Sequence, residues 1–502
     1  MAIDMYVDLE LWEIALKIAQ ESGRDTAMIL RQRATLSLHA QDTATAAATY
    51  MALGDYLQAV LLYIKQSAWT TLAEKVTQIP KGEKKALQKA SAAFKKMGHV
   101  DAYVTTLAHM EEWQPLMAFY VEHALFDQAL ALSTRQPQLA SLLYLPYAQH
   151  LAAQEEYLLA NTYFRRAGRI DETRRILSIL IENAVEEERF SDASYLHWTL
   201  SREIGAAYQK ESACPRGVKE EVAQHARAAD LYYAYETVHR FVEDVFTEFS
   251  PENAFYAALF VMQHALQHRT ALPEGIRQSH LLTALRRQGK QMGAFGVARY
   301  ATLALRQYAL SVQEQDANAV DGLLLRALPE HDDPTMQPYC ACCVRSNEML
   351  HREGLACATC LEPYTVSFDS FRQLPLVQFA LPEDMSDAEA TSVLHQEPLP
   401  NASELHRDGD DLFLDLLATM DRDNTTPFQP VRVTRHLLAM FDASAVFTQP
   451  SSTVTKYYKL MAPDMHLTQC QTCYHFFHSD EYEFLVLQRG HACPFCRTSV
   501  SQ

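Results

Sequence analysis

What this 502-residue chain lacks narrows its function before any motif is considered. No apolar run approaches the ~20 residues a membrane-crossing helix needs, so no transmembrane segment is expected. The opening residues, MAIDMYVDLELW, are acidic where a secretory leader has a basic start and an apolar middle. A reducing compartment is therefore expected, in which paired cysteines favour zinc over disulfides. Positive charge is scarce: 44 Lys and Arg stand against 62 Asp and Glu, a net charge of −18. Such a chain repels phosphate, and nucleic acid is not an expected partner. Its modest basic clusters, Lys81 to Lys89 and Arg165 to Arg175, read as solvated helix faces. Catalytic signatures are missing as well: no GxxxxGK[ST], HExxH, GxSxG or Rossmann glycine fingerprint occurs. No catalytic residue is assigned, and the chain is read as non-enzymatic.

From Tyr6 to about Leu325, proline and glycine are sparse and apolar residues recur at steps of three and four, the pattern of consecutive amphipathic helices. Seven of the 20 prolines precede residue 326 and thirteen follow it, which sets a boundary there. An aromatic followed three positions later by alanine recurs at Trp12/Ala15, Tyr56/Ala59, Phe126/Ala129, Tyr157/Ala160 and Phe190/Ala193. The last three aromatics are 31 and 33 residues apart, near the ~34-residue tetratricopeptide period, and Tyr56 to Phe126 spans 70, about two periods. A small residue at the tight crossing with an aromatic in the next gap suits stacked helix pairs. Gly54, Gly98 and Gly168 are placed to end first helices, where a left-handed residue is needed. His239, His264 and His268 read as exposed or capping residues rather than ligands.

Beyond Leu325 the cysteines dominate. Eight of the ten form two sets of paired Cys-x-x-Cys: Cys340, Cys343, Cys357 and Cys360, then Cys470, Cys473, Cys493 and Cys496. Four thiolates at such spacing suit a tetrahedral structural zinc with no open position for catalytic water, so two zinc ions are expected. Cys342 is an alternative ligand in the first set, and His475, His478 and His491 flank the second. Cys493-Pro-Phe-Cys496 also has the spacing of a glutaredoxin pair. That pair starts a helix early in a βαβ unit, whereas here only six residues follow it. A RING-type ubiquitin ligase needs eight interleaved ligands in one compact domain, and these sets lie more than a hundred residues apart.

The expected fold is mainly α: a tetratricopeptide-like α-solenoid (1–325) followed by two small zinc-ribbon modules. The first ribbon is placed at 326–381, with a strand at Tyr364 to Phe368 and an apolar run from Leu374 to Leu381. An acidic helix and linker fill 382–427, in which Glu383, Asp384, Asp387 and Glu389 open a short helix and 397–426 is partly disordered. The second zinc module covers 428–502. There Ser479 caps a helix that stops at Gly490, and Tyr482, Phe484, Leu485 and Leu487 pack on the metal knuckles.

The segments FHSDEYEFLVLQRGHACPFC, LPLVQF, LYLPYAQHLA, AIDMYVDL, FKKMGH, NAVEEERFSDASY and ADLYYAYETVHRFVEDVF resemble the intraflagellar transport protein 122 family, core subunits of intraflagellar transport complex A. The resemblance runs over essentially the whole chain, and both cysteine sets fall where the family has paired cysteines. It implies a non-enzymatic scaffold serving retrograde ciliary transport, ciliary entry of membrane proteins and cilium assembly. The implied partners are other complex A subunits and, indirectly, complex B and ciliary membrane cargo adaptors. The implied location is the cilium or flagellum and its basal body, with cytoplasm and cytoskeleton. Family members place WD-repeat propellers ahead of their helices; none is visible here, and the chain is read as a C-terminal portion. The competing reading is a vesicle-coat or tethering subunit with helical repeats and a RING-like zinc tail.

Overall fold

The computed structural model describes residues 2–23, 25–208, 216–243, 251–268, 271–383, 385–394, 402–419, 428–450 and 455–500. These form two compact units, Met1–Arg169 and Ile170–Gln502.

The first unit is helical throughout. Its helices are α1 (Ala2–Asp8), α2 (Trp12–Glu21), α3 (Ala27–His39), α4 (Thr43–Leu53), α5 (Tyr56–Lys65) and α6 (Trp69–Val76). They continue as α7 (Lys84–Met97), α8 (Val100–Met110), α9 (Trp113–Glu122), α10 (Phe126–Arg135), α11 (Ala140–Ala153) and α12 (Tyr157–Arg166). Each packs on the next, and α5, α6 and α9 also reach the next but one, as in stacked helix pairs. The aromatic of each expected pair here opens its helix, and Ala15, Ala59, Ala129 and Ala160 one turn later are fully buried at the crossings.

The turns reveal a longer register than the aromatics do. Gln41, Gly98 and Glu155 are left-handed (φ 60, 77 and 64°) and lie 57 residues apart. Gly54, Glu111 and Gly168 repeat at the same interval, as do Ser67 and Ala124. In these turns one left-handed residue ends a helix and one non-helical residue, such as Asp42 (φ −85°, ψ 79°) or His99 (φ −81°, ψ 80°), starts the next. The repeat is thus four helices long, and its core positions align: Ala46, Tyr103 and Ala160 are buried, as are Leu72 with Ala129 and Phe94 with Leu151. The 70-residue interval from Tyr56 to Phe126 joins α5 to α10, helices of different rank in the repeat; Phe126 corresponds to Trp69.

The second unit begins with α13 (Ile170–Glu186), α14 (Phe190–Tyr208), α15 (Arg216–Glu243) and α16 (Pro251–His268). It continues with α17 (Gln278–Met292), α18 (Phe295–Leu305) and α19 (Val312–Arg326). Ala193 again sits fully buried one turn after Phe190. His264 is buried and His239 half-buried, not exposed or capping: aromatic rings pack around them, with Phe190 against His239 at 5.0 Å and Phe260 against His264 at 6.4 Å.

Past α19 come a hairpin of β1 (Tyr339–Cys340) and β2 (Arg345–Ser346), then β3 (Leu376–Ala380), α20 (Asp387–Leu394) and α21 (Ala402–Ala418). The chain goes on through β4 (Val431–Arg432), α22 (Arg435–Ala439), β5 (Val446–Gln449) and β6 (Lys456–Leu460). It closes with β7 (Leu467–Gln469), β8 (Phe476–His478) and α23 (Ser479–Gln488). The central sheet has the order β4-β3-β6-β5, with β4 parallel to β3 and the other neighbours antiparallel. β3 from the first expected ribbon thus pairs with strands from the second, so the limits expected at 381 and 427 lie within one sheet. The expected strand at Tyr364 to Phe368 is reduced to single bridges at Val366 and Ser367.

The expected acidic linker departs most from expectation. Ser386 and Glu389 form a reciprocal cap at the start of α20: Glu389 N donates to Ser386 Oγ at 3.3 Å, and Ser386 N donates to Glu389 Oε2 at 3.1 Å. Within the stretch expected to be disordered, α21 buries Phe413 completely against Phe379 and Phe441. An apolar stripe among acidic residues specifies this helix, and its buried stripe outweighs the disorder signal of its charges. Asp384, 397–401 and 420–426 lie outside the described residues.

Candidate metal centres

All four expected Cys-x-x-Cys segments fold into the same knuckle. The amide after the second cysteine donates to the carbonyl of the first: Val344 to Cys340 at 2.9 Å, Leu361 to Cys357 at 3.0 Å, Tyr474 to Cys470 at 2.9 Å and Arg497 to Cys493 at 3.0 Å. The donor residue is left-handed each time, with φ of 59, 58, 61 and 55°. None of the four is glycine, so this turn left no signal in the sequence. Each knuckle presents two sulfurs, and two knuckles face each other to make a cluster.

Within each cluster the four sulfurs lie within 4.8 Å of one another. Cys340 Sγ is 3.6 Å from Cys360 Sγ and Cys343 Sγ is 3.6 Å from Cys357 Sγ; the second cluster gives 3.7 Å for Cys470 to Cys496 and 3.9 Å for Cys473 to Cys493. A disulfide needs about 2.05 Å. Zinc–sulfur bonds of about 2.3 Å in a tetrahedron set the sulfurs about 3.8 Å apart, which these distances match. The two four-cysteine clusters thus support two structural zinc ions. Each takes its four sulfurs from consecutive pairs in the chain, whereas a RING interleaves them.

The electrostatics agree. Hydrogen bonds with Cys342, Cys357 and Cys360 push the Cys340 thiol far above its ordinary value, while bonds to Cys340 and Cys342 pull Cys360 far below. In the second cluster Cys473 is pushed up and Cys470 pulled down by their mutual sulfur hydrogen bonds. In each cluster one thiol ionises easily and another resists, and ionisation of all four packed sulfurs needs a divalent cation to compensate the charge. Cys342 is buried and hydrogen-bonded to the first cluster, outside the four that converge. Cys214 lies outside the described residues.

Asn347 supports the first cluster, a role its sequence context did not signal. It is buried, its Nδ2 lies 3.5 Å from Cys357 Sγ and 2.7 Å from Tyr364 Oη, and its Oδ1 accepts from Ala358 N at 3.0 Å. In the second cluster Thr498 Oγ1 lies 3.2 Å from Cys496 Sγ.

None of the flanking histidines joins the sulfurs. His475 Nε2 meets Asp230 Oδ1 at 3.1 Å, and its ring packs on Phe368 and Phe495. His478 Nδ1 meets Asp369 Oδ2 at 2.8 Å. Burial opposes ionisation of Asp369, but hydrogen bonds from His478 and Ser367 outweigh it and hold its carboxyl below the usual range; the same bond raises His478. His491 is exposed. Nor does Ser479 cap α23: it is the first helical residue, and its Oγ pairs with Thr468 Oγ1 at 2.9 Å. Tyr482 and Val486 face the core, whereas Phe484 and Leu487 are 56% and 64% exposed. Alternation by helical turn was legible, but not which stripe faces inward.

The second cluster is seated on the helices of its own unit. Phe495 meets Trp198 of α14 edge-on at 6.4 Å and Tyr233 of α15 at 5.2 Å. Cys470, Cys473, Cys493 and Cys496 share one hydrophobic core with α14 to α18. Near the first cluster, Gln263 of α16 donates to the Met349 carbonyl at 2.6 Å.

Two segments of the chain match family models. Residues 1–279 match the family model described as IFT122, TPR domain, and residues 465–502 match IFT122, C-terminal zinc ribbon domain. Intraflagellar transport protein 122 homolog from Danio rerio is 29% identical, covering 100% of this chain and 44% of the relative. The Homo sapiens homolog is 30% identical over 99% of this chain and 41% of its own length. The chain therefore spans less than half the length of the curated relatives it matches.

Proposed function

Since the chain belongs to the intraflagellar transport protein 122 family, we propose that it is a non-enzymatic scaffold within intraflagellar transport complex A. It serves retrograde ciliary transport, ciliary entry of membrane proteins and cilium assembly, in the cilium or flagellum and at its basal body. Its direct partners are other complex A subunits, with complex B and membrane cargo adaptors reached indirectly. Similarity to the family across the whole chain is the observation that carries this reading. Stacked helices with long exposed faces suit it, because such arrays bind proteins along extended surfaces. Among the described residues no helix is long and apolar enough to cross a membrane. In this reading Cys340, Cys343, Cys357 and Cys360 ligate one zinc and Cys470, Cys473, Cys493 and Cys496 the other. The ions hold fold rather than perform chemistry.

Co-expression with the remaining complex A subunits tests the reading. The chain is expected to co-elute with at least one of them in size-exclusion chromatography. Elution apart from every subunit overturns it. Elemental analysis of the same fractions is expected to give two zinc ions per chain, and any other stoichiometry overturns the ligand assignment.

A further inference from the structure

α13 and α15 both pack on or beside α14, and Arg174 of α13 pairs with Glu221 of α15. Between them, with the Leu272 to Glu274 segment along one side, lies a cavity of about 1030 Å³. Tyr232 Oη donates to the Glu274 carbonyl at 2.8 Å and holds that segment in place.

The walls are acidic. Glu182 and Glu186 stand one turn apart on α13, with Glu220 on α15 and Glu274 opposite. All four are exposed, and among the described residues none has an ion-pair partner. Arg227 is the one lysine or arginine among the described lining residues. His197 and His225 meet Nδ1 to Nδ1 at 3.0 Å, a bond that needs at least one neutral ring. Burial, then the neighbouring His225, lowers His197 to about 4, so it adds no positive charge at neutral pH. The floor is apolar, from Ile181 and Leu231. At the upper end of the roughly 300–1000 Å³ typical of small-ligand pockets, the space is large enough for a short run of peptide.

We propose that this groove docks a basic, amphipathic peptide segment of a partner protein, its lysines or arginines on the four carboxylates and an apolar side chain on the Ile181–Leu231 floor. Four carboxylates without ion-pair partners, facing a single lining arginine, gain Coulomb energy from such a ligand and lose it to an acidic one. Next-but-one helices forming a concave wall are the usual geometry by which helical repeats hold a peptide. The groove stands on its own geometry, whatever assembly the chain serves.

The probe is a short fluorescein-labelled peptide alternating lysine and leucine, titrated with the full chain and read by fluorescence anisotropy. Saturable binding is expected, with none for the probe carrying glutamate in place of lysine. The combined change E182K/E186K/E220K is expected to weaken binding about tenfold or more. The neutral set E182Q/E186Q/E220Q is expected to weaken it less, and serves if charge reversal impairs folding as judged by circular dichroism. The control E13K/E74K/E122K makes the same change in net charge within the first unit and is expected to leave binding unchanged. Equal weakening by control and groove sets would mean attraction to the chain's overall negative charge and overturn the proposal. Binding unaffected by either groove set, or absent in the unaltered chain, overturns it too.

Discussion

Arg497, in the turn that closes the last cysteine pair, donates from Nη2 to Asp192 Oδ1 at 2.6 Å and to the Ser191 carbonyl at 3.1 Å. The two side chains are 37% and 34% exposed, so the pair itself is worth no more than about 1 kcal/mol. It marks a register, and the energy lies beneath it. Phe495, nearly fully buried against Trp198 and Tyr233, contributes on the order of 2–3 kcal/mol by burial alone. The terminal zinc module is therefore a clasp on α14 and α15 as well as a fold of its own.

The clasp changes what loss of a ligand does. From spacing alone, Cys473→Ser unfolds the last module and spares the helices. In the structure Cys473 belongs to the same core as Leu196, Tyr235 and Phe255. Structural zinc sites contribute roughly 10 kcal/mol or more in isolated fingers, comparable with the whole stability of a domain. Cys473→Ser is expected to destabilise α14 to α16 together with the ribbon. Hydrogen exchange should show faster exchange at amides of α14 and α15, and exchange raised only in 465–500 would sink the clasp.

The acidic helix α21 is held by a buried cation. Lys459 of β6 is 2% exposed, lies 2.5 Å from Asp410 Oδ1 and rests 4.6 Å from the centre of the Phe441 ring. Asp410 is 45% exposed and can be solvated without its partner, whereas Lys459 cannot. The two truncations should therefore be unequal. Asp410→Ala removes the ion-pair partner of a buried ammonium, leaving it the Phe441 ring and the charge of Asp442 beyond ion-pair distance, and is expected to cost about 3–5 kcal/mol. Lys459→Met keeps the stem's packing and should cost less than about 2 kcal/mol. Denaturant unfolding of both variants decides, and equal losses count against a buried-charge role.

The helices, the alanine crossings and the eight clustering cysteines were legible because each depends on residue type at fixed spacing. Ala129 and Ala160 lie where the aromatic–alanine pattern put them, and the two cysteine pairs of each set face each other. The sheet was not legible. β3 finds β6 some eighty residues on, and short strands carry too little pattern to fix partners at that separation. Asn347 and Asp369 went unseen because their roles arise from tertiary neighbours alone. The four-helix register was hidden because most of its left-handed turn positions hold glutamate, glutamine, serine or alanine rather than glycine.

Acid should loosen the second unit through His197. Burial, then the neighbouring His225, lowers its folded value from 6.5 to about 4. Above pH 6.5 both folded and unfolded states are neutral at this group, and stability is complete. Between 6.5 and about 4 the unfolded chain takes up a proton that the folded chain refuses, so stability falls as pH falls, by on the order of 3 kcal/mol in total. Below about 4 this contribution stops changing. Denaturant midpoints across pH 7 to 4 should show the loss, and His197→Gln should flatten it. An unaltered slope in the variant would remove His197 from the account.

The four-helix repeat makes a paired prediction of opposite sign. Gly98 and Glu155 occupy the same turn one repeat apart, with φ of 77 and 64°. A left-handed backbone costs an L-residue about 1–2 kcal/mol, while glycine gives back roughly 0.5–1 kcal/mol through the freedom of the unfolded chain. Replacing Glu155 by glycine should then stabilise the first unit by about 0.5–1 kcal/mol. Gly98→Ala should destabilise it by a similar amount. A Cβ at Gly98 meets nothing within 4 Å, so the loss there comes from backbone conformation and not from a clash. Thermal melts of the two variants should move in opposite directions from the parent. If both move the same way, the two turns are not equivalent and the 57-residue register fails.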